Sequence, residues 1–110
     1  MPQFAKSRKD KHLIYVIATL TIKSGSQPAL TALAKPLIEG TRAEPGCILY
    51  DLNASVSDPE TMVFVEQWES REALQAHFRT PHIAAWREAN KPHVMSARVE
   101  IIHPDRVEIL

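Results

Sequence analysis

Residues 13–23 alternate with a two-residue period, and both phases of the alternation are apolar. Ile14, Val16, Ala18, Leu20 and Ile22 share one face of the predicted strand; Leu13, Tyr15, Ile17, Thr19 and Thr21 share the other. Both faces are too apolar for a sheet with one side in water. The Ser24-Gly25-Ser26 turn follows, and Ser26 is placed to cap a helix. The period then lengthens: Leu30, Leu33, Ala34, Leu37 and Ile38 recur at three-and-four spacing, which predicts an amphipathic helix. Pro36 inside this pattern predicts a kink or a loosened turn. Glu44-Pro45-Gly46 reads as a type II turn.

The two-residue period returns in residues 47–54, with Ile48, Tyr50 and Leu52 facing one way and Leu49, Asp51 and Asn53 the other. A polar loop, Ser57-Asp58-Pro59-Glu60, leads into residues 61–69, rich in β-branched and aromatic side chains, so these two strands should form a hairpin. There Met62, Phe64, Glu66 and Trp68 fall on one face. Glu66 is out of place among them unless it lies near a sheet edge, reaching water or pairing with Arg71 or Arg98. Ser70 can cap the next helix, with Glu72 in its first turn and Leu74, His77 and Phe78 on one side. Thr80-Pro81 ends it and starts another helix, on which His82 and Trp86 share a face. Residues 95–103 form the last long strand, and residues 107–110 are expected to add a short one.

The order strand, helix, two strands, helices, strand predicts an α+β ferredoxin-like fold, one antiparallel sheet with its helices on one face. Helices on one side leave the second apolar face bare, which predicts a homodimer through that sheet face, using residues such as Tyr15 and Ile17. Residues 1–12 carry Lys6, Arg8, Lys9 and Lys11 without an apolar signal-type core and read as a flexible extension; residues 13–110 make one domain.

Composition narrows the partners. With 13 basic and 13 acidic residues, the 110-residue chain has a formal net charge of zero, so no general attraction to nucleic acid or membrane is expected. A single cysteine, Cys47, excludes an internal disulfide and fits a reducing, cytoplasmic setting. Nothing nearby lowers its pKa, so it reads as a structural residue. Three glycines, Gly25, Gly40 and Gly46, build no phosphate loop, and no Gly-x-Ser-x-Gly elbow is present. His77 and His82 are not at the one-turn spacing that sets two metal ligands on one helix, so no metal and no cofactor is expected.

What is left is an aromatic pocket with a few polar groups, suited to a small flat ligand. Trp68 and His77 are its predicted centre, with Tyr50 and Asn53 as further lining. Each has an ordinary structural alternative: a core tryptophan satisfied by a carbonyl, a histidine reaching solvent, His82 as a helix-start residue, Trp86 as an interface anchor.

The strings V-E-Q-W-E-S (residues 65–70) and A-H-F-R-T-P-H (residues 76–82) resemble the signature of the antibiotic-biosynthesis-monooxygenase domain family, closest to its quinol monooxygenase branch. T-R-A-E-P-G-C (residues 41–47) and I-Y-V-I-A-T-L-T-I-K (residues 14–23) extend the likeness over most of residues 13–104. The resemblance implies a cofactor-independent monooxygenase that oxidises quinol-like or polycyclic phenols with molecular oxygen. In that reading His77 is the base, Trp68 N–H a donor to the substrate anion, and Tyr50, Asn53, Phe64, His82 and Trp86 bind the substrate. Phe64 stands where polyketide-oxidising members carry asparagine, and the first strand lacks the asparagine of haem-degrading relatives. A branch acting on a small signalling phosphosugar shares the H-x-x-T-P-H string, so an isomerase for such a sugar, or a non-catalytic dimeric binding or stress-related module, stays open.

Overall fold

The structure, a computed structural model, describes residues 12–110. The basic stretch expected to be a flexible extension lies, apart from His12, outside the described residues. Seven elements follow one another: β1 (Ile14–Ile22), α1 (Gln27–Arg42), β2 (Cys47–Ala54), β3 (Thr61–Trp68), α2 (Arg71–His77), α3 (Pro81–Ala89) and β4 (Val94–Ile102). The strands form one antiparallel sheet in the order β2-β3-β1-β4. With the helices on one face, this is the ferredoxin-like α+β arrangement that the alternation predicts.

The inner face is built from the phase of β1 that carries Ile14, Val16, Ala18, Leu20 and Ile22, all buried. Register sets Ile14 opposite Trp68, Val16 opposite Glu66, Ala18 opposite Phe64 and Leu20 opposite Met62. Leu30, Ala34 and Leu37 of α1, Leu74 of α2, and Ile83 and Trp86 of α3 close over this floor. Both short helices are capped where the sequence directs: Ser70 accepts from the Ala73 N–H, and Thr80 accepts from the Ile83 N–H with Pro81 next. The opposite phase, including Tyr15, Ile17, Leu49, Val63 and Val65, is only half-buried, and among the described residues no helix covers it.

Helix α1 is continuous through Pro36, from Gln27 to Arg42, and three local expectations are corrected. Pro36 and Ala32, whose carbonyl loses its partner there, are both exposed, so water can replace the missing donor. Ser26 precedes α1 but makes no cap; its hydroxyl instead pairs with His93 Nδ1 at 2.9 Å, tying the helix start to the β4 entrance. Residues 107–110 form no strand, and Val107 and Ile109 are exposed. Four residues laid along an edge with no layer above them would gain too little burial to offset the ordering of their backbone. Glu66, finally, is nowhere near a sheet edge. It lies on the interior strand β3, between Val16 on β1 and Tyr50 on β2, and is 6% exposed.

Candidate active site

A cavity of about 230 Å³ lies between the inner face of the sheet and helices α2 and α3. Its floor is Val16, Ala18, Leu20, Tyr50, Phe64 and Glu66; its roof is His77, Phe78, Ile83, Trp86, Arg87 and Asn90. Val94, Ala97 and Val99 of β4 complete it. Register places Ala97 and Val99 on the inner face beside Leu20 and Ala18, yet both are exposed. The helices therefore stop short of β4, and the cavity opens above that strand.

The cavity is mostly apolar and strongly aromatic. The Tyr50 and Phe64 rings lie 5.4 Å apart, and Trp86 meets Phe64 edge-on at 5.5 Å. Such tilted contacts are favoured by ring quadrupoles and hold the walls in fixed orientations. Arg87 at the rim lies over the Phe78 ring at 5.6 Å, which keeps its guanidinium near the opening.

His77 is the last residue of α2 and is buried. Its ring packs 4.9 Å from the Trp68 ring and 5.3 Å from Tyr50. Its Nδ1 lies 2.8 Å from Glu44 Oε2, and the same oxygen is 2.6 Å from His82 Nε2. A carboxylate only accepts, so a neutral His77 must carry its proton on Nδ1, which leaves the Nε2 lone pair free to take another. Burial pulls the His77 pKa down and the Glu44 carboxylate opposes this; the net direction is down, so the ring is neutral near pH 7.

Glu66 is the second titratable group on the wall. Burial pushes its pKa up to about 7, against the effect of the Trp68 N–H, which donates to Oε1 at 2.9 Å. Near neutral pH its carboxyl is therefore poised between its two protonation states. Burial, then the nearby Glu66 charge, raise the Tyr50 phenol far above its ordinary value, so it stays protonated. Cys47 is likewise pushed up to about 12, first by burial, and is not a thiolate at physiological pH.

Of the residues singled out from the sequence, His77, Tyr50, Phe64 and Trp86 line the cavity. Trp68 does not reach its wall. It is fully buried behind His77, and its N–H, expected to meet a substrate anion, is held by Glu66. Asn53 is exposed near the end of β2, donating to the Val63 carbonyl, because strand alternation turns it away from Tyr50. His82 also stays off the wall and acts on Glu44 instead.

Sequence reasoning passed over Glu44, Arg87 and Asn90. Nothing local marks Glu44, which meets its histidines 33 and 38 residues later in the chain. Its position depends on the turn that follows. Gly46 has φ +85°, and a Cβ there would fall 2.6 Å from the Ala73 Cβ, so the turn can sit directly against the start of α2.

A profile of the family described as antibiotic biosynthesis monooxygenase matches residues 13–89. The protein called "Probable quinol monooxygenase YgiN" from Escherichia coli is 35% identical over 103 residues, covering 84% of this chain and 98% of that one. An uncharacterized Synechocystis protein, sll1783, is 32% identical over 88 residues, but the chain spans only 59% of its length. Among solved structures, Rv0793 from Mycobacterium tuberculosis superposes with a TM-score of 0.79 at 31% identity, over 86% of this chain and 97% of that one. SO0527 from Shewanella oneidensis gives 0.76 at 34% identity, covering 83% and 89%. The profile match spans β1 to the end of α3, the same elements that build the floor and roof of the cavity, and on it the chain belongs to the antibiotic biosynthesis monooxygenase family.

Proposed function

We propose that this chain is a monooxygenase that oxidises electron-rich phenols of the hydroquinone or polycyclic type with molecular oxygen and no organic cofactor. One observation carries the reading: a neutral histidine with its tautomer set by a carboxylate, facing an aromatic cavity of about 230 Å³. That volume and its tilted aromatic walls suit a flat ring. His77 Nε2 takes the phenolic proton, and the resulting anion is electron-rich enough to pass an electron to oxygen. The apolar walls favour reaction at the bound ring by limiting the water beside it. The Trp68 N–H is held by Glu66 and is therefore not the donor to the oxyanion. Glu66, poised near pH 7, receives or returns a proton as the oxygen adduct resolves. The names of the relatives, a quinol monooxygenase among them, support the same class of reaction.

The active form is proposed to be a homodimer closed over the uncovered face of the sheet. Tyr15, Ile17, Leu49, Val63 and Val65 lie there in adjacent strands, half-buried and not covered by any described helix. Light scattering is expected to give twice the chain mass, and a monomer at micromolar concentration rules the dimer out. Among the described residues no helix is long and apolar enough to cross a membrane. The reaction is tested by oxygen consumption of chelator-treated protein supplied with a panel of hydroquinones. Uptake that matches substrate loss is expected, and no uptake above the buffer rate across the panel overturns the proposal.

A further inference from the structure

Glu44, His77 and His82 come from three separate places: the turn after α1, the end of α2 and the first turn of α3. Their ligating atoms nevertheless all lie within 4.8 Å of one another. Each is held by something other than the cluster itself. The His77 ring is wedged between Trp68 and Tyr50. The His82 ring rests on Gly40, where an added Cβ would come within 2.8 Å of Nδ1, so a side chain at 40 would push the ring away. Glu44 belongs to the turn that Gly46 closes against Ala73. Among the described residues its ion-pair partners are the two histidines; no lysine or arginine joins them.

We infer that these three residues form a divalent-cation site of the zinc type, with Glu44 Oε2, His77 Nδ1 and His82 Nε2 as ligands. Two imidazoles and one carboxylate are a common zinc ligand set, and the order of metal affinities ranks zinc above manganese or iron(II) for such donors. Metal–ligand bonds of about 2.0–2.1 Å in a tetrahedron set the ligands about 3.3 Å apart. The contacts of 2.8 and 2.6 Å must therefore open by roughly half an ångström. The His82 side chain is 23% exposed, which gives an entry path and room for water as the fourth ligand. The one-turn spacing rule missed the pair because it concerns one helix; here the Thr80-Pro81 turn brings together histidines from two.

Neither Glu44 nor His82 lines the cavity, so the cation sits behind His77 rather than among the reacting groups. Its effect reaches the cavity through the ring. Coordination takes the Nδ1 lone pair, and the neutral imidazole then carries its proton on Nε2. The cavity edge of His77 changes from proton acceptor to donor, and the loaded protein loses its base. This consequence rests on the proposed reaction; the binding of the cation does not.

The test is a titration of chelator-treated full-length protein with cobalt(II), followed by the visible absorption of tetrahedral cobalt, and with zinc(II) by calorimetry, both without substrate. One cation per chain and a raised melting temperature are expected. Glu44→Gln and His82→Asn, each checked for folding by circular dichroism, should weaken binding by about a hundredfold or more, since even loss of an outer partner costs up to that. His103→Ala, at an exposed histidine outside the cluster, should bind as the parent does. No binding by the parent, or binding unchanged in both cluster variants, overturns the inference whatever the oxygen assay shows. If oxygen uptake is seen, zinc at saturation should suppress it in the parent and not in His82→Asn.

Discussion

One carboxyl group lies on the cavity wall and another behind it, and their surroundings differ. Glu44, at the junction of α1, α2 and α3, offers one oxygen to two imidazoles. Glu66, on the floor of the sheet, accepts from one indole N–H, and burial, helped by the Glu44 charge, drives its pKa up to about 7. Both are carboxyl groups shielded from water, yet the donors within reach give them different work. The junction carboxylate orients a base, whereas the floor carboxyl stores a proton. His77 lies between them and faces the cavity.

The largest expected effect comes from the floor. The native pKa of Glu66, about 7, lies above its ordinary 4.5, so the folded state holds a proton that the unfolded state has released across that window. The stability from this preference is complete below pH 4.5 and is lost as pH rises through 7. The full span is on the order of 3 kcal/mol. Glu66→Gln keeps an acceptor for the Trp68 N–H but cannot ionise. Denaturant melts from pH 4.5 to 8 should therefore fall with pH for the parent, after the shared background is subtracted, and stay level for the variant. Parallel curves would mean that Glu66 titrates as an ordinary carboxylate, and the contrast between the two acids would collapse.

At the junction, His77→Ala should lower turnover of a hydroquinone about a hundredfold with the fold intact by circular dichroism, the scale of general-base loss. Glu44→Gln should lower it about tenfold, mainly in kcat, because it removes the group that sets the tautomer but not the base. An equal loss in both would mean that Glu44 is part of the base itself. Full activity in His77→Ala would transfer the role to Glu66, which among the described residues lines the cavity with a pKa pushed up to about 7.

How far the sequence alone reveals this arrangement depends on the range of the interactions. Strand alternation and helix period are local, so the four strands and the start of α1 are readable to within a residue or two, and so are the Ser70 and Thr80 caps. Glu66 could be seen on the Trp68 face, but its burial could not. That depends on β3 being interior, which pairing between distant strands decides. Glu44 was invisible for the same reason. The Trp68 indole turns to an acceptor two residues away on its own strand, a pairing that alternation alone does not reveal. The last four residues alternate like a strand, but burial, not alternation, decides whether a strand forms there.

The smallest effect separates caps that only stabilise helices from one that also joins the two histidines. Thr80 Oγ1 accepts from the Ile83 N–H and donates to the His77 carbonyl at 2.8 Å, so one hydroxyl starts α3 and fixes the end of α2. Thr80→Ala should cost about 1 kcal/mol in denaturant melts, as N-cap losses do. It should also loosen the approach of His82 to Glu44. Ser70→Ala removes a cap of similar kind from the start of α2, away from both histidines, and should cost about the same stability. If the junction depends on the dual role of Thr80, hydroquinone turnover should fall about twofold to fivefold in Thr80→Ala, by analogy with a lost outer-shell partner, yet stay near parental in Ser70→Ala. Thr80→Ser, which keeps the hydroxyl, should restore both readouts. Equal turnover in the two alanine variants would show that the hydroxyl serves the helices alone, and that the wedge of Trp68 and Tyr50 suffices to hold His77 in place.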